Sequence, residues 1–397
     1  MEVEQFYEHL LNYPDLRIHS VDHDETRITL HCETTTGESI CPQCGLSTGE
    51  VHQYDKRRVR DLDISGKEVW LDLRVRQFVC RSCNRYFHEQ PDWLLPGKSY
   101  TRRQAKWAFL MCQKQAFTEA AALLNMCPKT LERLYYEQGE RQLNLPQRYQ
   151  KVRQLGIDEI SHRKGKGDYV CVLTDLERGI PLDILPDRKK ATLKAHFEQL
   201  GPQFCQQIEV VACDIWPTYM NVAEEVFPHA TVVIDRFHVV KALNEVLDKE
   251  RKALRRKYPN NEHFKHLKWT LFKRPEHCTQ AQMTQLEQAL EEAWELEEIY
   301  QLRNTFNAIF DLATHPKEMK CQLNQWIKHA QKLNHKPLNI FLKTLNNRIK
   351  QITAFAQYRV TNAITEGLNN IIRYFKRISF GIPNFKNMRL RILIQSI

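Results

Sequence analysis

Acidic residues almost vanish from the end of this 397-residue chain: from Met319 to Ile397 there are fourteen Lys and Arg and one acid, Glu366. Such a segment attracts phosphates, and the formal net charge of +10 extends the bias to the whole protein. Long apolar runs are missing too. None approaches the ~20 residues of a membrane helix, and the opening MEVEQFYEHLL is acidic where a signal peptide would be basic. These absences argue against a membrane or secreted protein and for a soluble, cytoplasmic one that meets nucleic acid. Without a secretory signal, the twelve cysteines do not read as a disulfide framework. Four fall into two C-x-x-C pairs, and the other eight are scattered as reduced thiols. The length suits two or three domains, and 42% hydrophobic residues suffice for real cores.

The two pairs are CPQCG at Cys41 to Gly45 and CRSC at Cys80 to Cys83. Each knuckle brings two thiolates to one tetrahedral ion, so Cys41, Cys44, Cys80 and Cys83 are read as a closed structural zinc site rather than a redox pair. Between the knuckles lie 35 residues, including EVWLDLRVRQFVC, in which Val69, Leu71, Leu73 and Val75 alternate with polar neighbours. That period marks a strand in an enlarged zinc-ribbon hairpin. Cys32 and His88 are candidate extra or substitute ligands. Further on, Ala105, Ala108, Phe109 and Cys112 keep helical spacing, a turn falls at Asn125 to Cys127, and Pro128 opens another helix. Short helix, tight turn and longer helix make a helix-turn-helix, with Lys129, Thr130 and Arg133 at the start of the groove-entering helix. A plain helical hairpin shares the pattern.

The pattern then changes. LGIDEIS, DYVCVLTDLE and GIPLDILPD are three strand-like runs; ATLKAHFEQL and PTYMNVAEEVF are helical, and IEVVACDIW and ATVVIDRFHVV are strands. Three meandering strands followed by strand-helix-strand units are the order of a ribonuclease-H-like mixed α/β sheet. Asp158 lies inside the first strand and Asp214 ends the fourth. If those strands are parallel neighbours, the two carboxylates stand side by side and suit Mg²⁺ or Mn²⁺. The plainer reading makes each Asp a turn former, and Glu159, Asp175, Asp183 and Asp235 occupy similar places. Sheet signals disappear from Lys241 to Ala356, which reads as an all-helical insertion anchored by Trp269, Trp294 and Trp326. In the closing helix, Ile364, Leu368, Ile371, Ile372 and Phe375 form a sheet-facing stripe, with Glu366, Asn369, Asn370, Arg373 and Arg377 opposite. Glu366 is then either the third carboxylate of a two-metal site or a surface residue contacting Asn370 and Arg373. The expected domains are a zinc ribbon (1–98), a helix-turn-helix (99–150), the first part of the core (151–240), the insertion (241–356) and the closing helix with its basic tail (357–397).

Five blocks in order, namely the cysteine ribbon, GIDEIS, CDIWPTY, DRFHVVK and NAITEGLNNIIRYFKRISFGIPNFKNMRLRI, resemble the insertion-sequence transposases of the ISL-three family over nearly the whole chain. GIPNFKNMR departs from the more aromatic, Arg-rich form usual there. The resemblance implies a catalytic triad of Asp158, Asp214 and Glu366 with two Mg²⁺ or Mn²⁺ ions. It implies a bacterial, nucleoid-associated transposase that binds the terminal inverted repeats of its element, cuts there and joins 3′-hydroxyls to target DNA, with a homodimer expected on double-stranded DNA. It also implies that Arg373, Lys376, Arg377, Lys386, Arg389 and Arg391 offset phosphate charge beside the cut. His238, in DRFHV, is a candidate neighbour of the site, or a core histidine. Two rivals use the same domains: a non-catalytic DNA-binding regulator, and a structure-selective nuclease indifferent to terminal sequence.

Overall fold

The computed structural model describes residues 2–163, 167–360, 363–379, 381–382 and 384–395. The chain divides into two compact units, Met1–Leu143 with Phe375–Pro383 and Asn144–Tyr374 with Asn384–Ser396. The ribbon and the helix-turn-helix, expected as separate domains, share the first.

In that unit helix α1 (Val3–Leu11) precedes β1 (Leu16–His23) and β2 (Arg27–Thr34). After the two-residue strands β3 (Ser39–Ile40) and β4 (Ser47–Thr48), β5 (Val51–Arg60) and β6 (Glu68–Cys80) form the long hairpin, and β7 (Arg85–His88) pairs with β6. Along β6, Val69, Leu71, Leu73 and Val75 are all buried, because a period of two sends one face inward. The expected hairpin exists, yet it is half of a five-stranded sheet ordered β1-β2-β6-β5, with β2 parallel to β6.

Three helices follow: α2 (Arg102–Met111), α3 (Phe117–Leu123) and α4 (Pro128–Gln142). Thr101 caps α2 by accepting the Gln104 N–H, and Pro128 sits in the first turn of α4, where its missing N–H costs nothing. Asn125 makes the turn between α3 and α4 at φ 48°, a left-handed conformation that Asn tolerates. A buried carboxylate ties these helices to the sheet. Asp61 accepts hydrogen bonds from Tyr13 Oη at 2.9 Å, Thr101 Oγ1 at 2.7 Å and Arg103 Nε at 2.8 Å, which is why residues 98–99 mark no boundary.

The second unit starts with α5 (Leu145–Tyr149) and the antiparallel meander β8 (Gln154–Arg163), β9 (Asp168–Asp175) and β10 (Ile180–Leu185). Then come α6 (Lys190–Gln207), β11 (Val210–Cys213), α7 (Pro217–Val226) and β12 (Thr231–Ile234). The sheet order is β10-β9-β8-β11-β12, with β11 parallel to both neighbours. This is the mixed, ribonuclease-H-like order that the strand sequence predicts.

Helix α8 (Arg236–Lys257) runs unbroken through the expected boundary at 240–241, and α9 (Lys268–Phe272), α10 (Gln280–Glu291), α11 (Trp294–Leu312), α12 (Pro316–Gln331), α13 (Lys336–Asn347), α14 (Ile349–Thr353) and α15 (Phe355–Tyr358) complete the helical insertion. One apolar cluster extends from Ile157 and Val211 in the sheet through Leu243 of α8 to Phe306 and Phe341, so insertion and sheet share a core. Of the three expected tryptophan anchors only Trp326 is buried; Trp269 and Trp294 are 68% and 61% exposed. They stand at the starts of α9 and α11, whereas Trp326 lies mid-helix in line with the buried Leu323 and Ala330.

Helices α16 (Ala363–Ile378) and α17 (Phe385–Ile394) close the chain. The inward face of α16 keeps Ile372 and Phe375 of the expected stripe, with Leu368 half-buried, but it is shifted along one edge. Thr365, Asn369 and Ile372 are buried, whereas Ile364 and Ile371 are 38% and 48% exposed. The stripe is turned by less than one residue, toward Thr365 and Asn369, where the sheet offers Gly156 and the Asp158 carboxylate rather than an apolar wall. A Cβ on Gly156 would come within 2.8 Å of Leu176 Cδ2 and 3.2 Å of Thr365 Oγ1. Gly156→Ala is therefore expected to cost about 1–3 kcal/mol and to lower Tm by several degrees in a thermal scan.

Candidate active site

The knuckle cysteines converge. Their sulfurs all lie within 4.8 Å of one another, with Cys41 to Cys83 and Cys44 to Cys80 each at 3.5 Å. Thiolates ~2.3 Å from one tetrahedral ion stand roughly 3.8 Å apart, so this donor set fits a structural zinc. Backbone N–H groups favour two of the four thiolates: those of Cys44 and Gln43 help push the Cys41 thiol down to about 6, and that of Cys83 lowers Cys80, whereas desolvation pushes the Cys83 thiol up to about 12 and Cys44 is also raised. The two expected substitute ligands lie elsewhere. Cys32 is buried in the sheet core, where desolvation pushes its thiol up to about 12, and His88 Nε2 pairs with Asp55 at 2.6 Å.

A second cluster forms where β8 meets β11. Ile157 pairs with Cys213 in the parallel register, so the next residues, Asp158 and Asp214, stand at neighbouring strand positions. Each is oriented by backbone: Asp158 Oδ1 accepts the Glu159 N–H at 2.8 Å, and Asp214 Oδ1 accepts the Trp216 N–H at 2.7 Å. Asp158 Oδ2 accepts Nδ2 of the buried Asn369 at 2.8 Å. That bond pins α16 to the acidic strand through a residue the sequence pattern had turned outward. Glu366 is exposed and lies one helical turn before Asn369, and side chains three apart on a helix have Cβ atoms ~5–6 Å from each other. Among the described residues, the cysteine set is the only group of three or more His, Cys, Asp or Glu with ligand atoms all within 4.8 Å. Glu366 is not gathered with Asp158 and Asp214 at that distance.

The electrostatics suit a cation. Burial raises Asp158, and it raises Asp214 to about 6, with the Glu159 and Asp158 charges adding to the shift; His238, on α8, opposes the rise at both. Two carboxyls that resist ionising together are relieved by a bound cation. Asn369 Oδ1 adds a buried oxygen with no hydrogen-bond partner among the described residues. Hard oxygen donors of this kind fit a divalent ion such as Mg²⁺. The neighbouring acids have other partners: Glu159 pairs with Arg188 and Tyr219 Oη, both at 2.9 Å, Asp175 with Arg178, and Asp235 caps α8.

The linkage has a measurable sign. The folded Asp214 carboxyl titrates near 6 against an ordinary 3.8, so folding favours its protonated form. Its contribution is fully present below about pH 4 and is lost as pH rises through 6. In metal-free buffer, Asp214→Asn is expected to raise stability by about 1–2 kcal/mol at pH 7.5 after discounting for solvent access. Thermal scans should show no gain at pH 4.

The basic residues divide. Lys129 and Arg133 are exposed at the start of α4 with Thr130 half-buried beside them. Arg373, Arg377 and Lys386 are exposed, Lys376 is half-buried, and Arg373 donates to Asn370 at 2.7 Å. Arg389 and Arg391 correct the picture of a continuous phosphate-facing tail. Arg389 Nε and Nη2 donate to Asp183 at 2.5 and 2.9 Å, and Arg391 is fully buried. A carboxylate at the edge strand β10 draws α17 inward. Sequence reasoning missed Gly156, and it named Asn369 beside Glu366 but turned it away from the sheet, where it is in fact buried against Asp158.

A family model described as transposase matches residues 155–392, and one described as the zinc-finger of transposase IS204/IS1001/IS1096/IS1165 matches residues 38–83. The transposase for insertion sequence element IS1001 of Bordetella parapertussis is 28% identical over 370 residues, covering 92% of this chain and 90% of that protein. The transposase for insertion sequence element IS1557 of Mycobacterium tuberculosis is 26% identical over 379 residues, covering 86% and 83%. No helix among the described residues is long and apolar enough to cross a membrane. A match that spans the sheet, the insertion and the closing helices, preceded by the matching zinc ribbon, means that the chain belongs to the ISL3 family of insertion-sequence transposases.

Proposed function

We propose that Asp158, Asp214 and Glu366 are the catalytic carboxylates of this transposase and hold two Mg²⁺ or Mn²⁺ ions. The observation that supports this most directly is the β8–β11 register, which aligns Asp158 with Asp214, together with the Asn369 bond that brings the helix of Glu366 to the same place. Ions bound there supply Lewis acidity to the attacking and leaving oxygens of a phosphodiester. The chain's own groups do the rest. The Glu159 and Trp216 N–H groups fix the carboxylate orientations, Asn369 positions α16, and His238 balances negative charge. Arg373, Lys376, Arg377 and Lys386 neutralise phosphates, and Lys129, Thr130 and Arg133 enter the major groove of the terminal inverted repeat.

On this reading water is the nucleophile in cleavage and a 3′-hydroxyl in strand transfer, without a covalent enzyme intermediate. A homodimer brings two sites to two ends, in the bacterial cytoplasm and at the nucleoid when bound. With Mn²⁺, the purified protein should cut a duplex bearing the inverted repeat that flanks its own reading frame and spare a scrambled duplex. Equal cutting of both, or a preference for branched DNA, would favour the structure-selective nuclease.

A further inference from the structure

Beside the carboxylate pair stands an aromatic stack that the cleavage chemistry does not use. Trp216 precedes the first turn of α7, two residues beyond Asp214, and is 39% exposed. The Arg188 guanidinium lies 4.3 Å from the Trp216 ring centroid and 4.5 Å from that of Tyr169. The cation is thus stacked on two rings. Glu159, the residue after Asp158, holds Arg188 at 2.9 Å and accepts from Tyr219 Oη at 2.9 Å. The stack is built from β9 and the segments that follow β10 and β11, and Glu159 of β8 ties it to the acids.

An indole backed by a guanidinium is an ordered platform, and its solvent-facing remainder is apolar surface that the fold leaves uncovered. Trp269 and Trp294 are more exposed still, but they belong to the insertion helices α9 and α11 and not to the segment that carries Asp214. Two residues of chain span at most about 7 Å, and successive nucleotides on one strand rise ~3.4 Å. A nucleotide flanking a phosphate held at Asp214 is therefore within reach of Trp216 once its base leaves the duplex stack.

We propose that Trp216, seated on Arg188 and Tyr169, stacks an unpaired nucleobase flanking the cleaved bond and so positions the opened DNA end. The inference rests on Asp158 and Asp214 being the cleavage site. Trp216 is then a positioning residue: a π-face accepts any base, so it selects an unstacked nucleotide and not a sequence, and it offsets the cost of unstacking.

The test uses the full chain, Mn²⁺ and element-end duplexes that are intact or carry an abasic unit on either side of the cleaved bond. Trp216→Ala should cut the intact duplex on the order of 10- to 100-fold more slowly, with unchanged end binding in a gel shift as the folding control. Trp216→Phe should retain most of the rate. An abasic unit at the stacked position, which leaves nothing to unstack, should bring Trp216→Ala to within a few-fold of the wild type. Wild-type rates from Trp216→Ala on the intact duplex, or no recovery at either abasic position, overturn the proposal while the cleavage site stands. Full cutting by Asp214→Asn instead overturns the underlying site, and the stacking proposal with it.

Discussion

Asp158→Asn and Asp214→Asn each abolish metal-dependent cleavage of an element end, by at least about 10³-fold, while binding to that end stays within a few-fold of the wild type. The reason is local. Asn keeps the size of Asp and an oxygen to accept the Glu159 or Trp216 N–H that now orients each carboxylate, and at 158 its Nδ2 can donate to Asn369 Oδ1, unpartnered among the described residues, once that amide turns over, so the strand geometry survives. What is lost is the negative charge that a divalent ion requires. Glu366→Gln should behave the same way, with no change in Tm, because Glu366 is exposed. A cleavage assay beside a gel shift reads both quantities on one protein sample. Cleavage that persists in all three variants would leave the non-catalytic regulator as the better account.

Removing zinc is the second large effect. The ribbon end of the sheet has a small apolar cluster, Cys41, Phe78, Cys80 and Phe87 with Val51 and Cys83 packed against it. A structural zinc contributes an apparent ~10–16 kcal/mol, comparable with the whole stability of a domain, about 5–15 kcal/mol. Cys80→Ser, or prolonged chelation, should therefore unfold the knuckles and eliminate specific end binding. The second unit has its own core of sheet and insertion residues, so weak nonspecific nicking should survive. Zinc content, a gel shift and a nicking assay on the same preparation separate these outcomes. If Cys41→Ser left end recognition intact, the ribbon would have no part in it.

Much of this architecture is legible in one dimension because its signals are local. The two C-x-x-C knuckles, the β6 alternation from Val69 to Val75 and the Asn125–Pro128 turn each depend on residues a few positions apart. The strand succession likewise made Asp158 and Asp214 candidate neighbours, and the parallel β8–β11 pairing then set them side by side. Three features were decided by tertiary contacts. The rotation of α16 follows from Gly156 and Asp158, more than two hundred residues away, which replaced the apolar wall that helical periodicity assumes. Arg389 turned inward because Asp183 on β10 binds a guanidinium more strongly than water does when both are shielded. Trp269 and Trp294 stayed outside because hydrophobicity alone does not say whether a residue lies on the buried side of its helix. The sequence by itself determined the zinc ligands, the strand succession and which two carboxylates could align, all properties of spacing and strand order. Only the tertiary structure decided which face of the closing helix meets them, because that face is selected by the shape and charge of a surface assembled from distant segments.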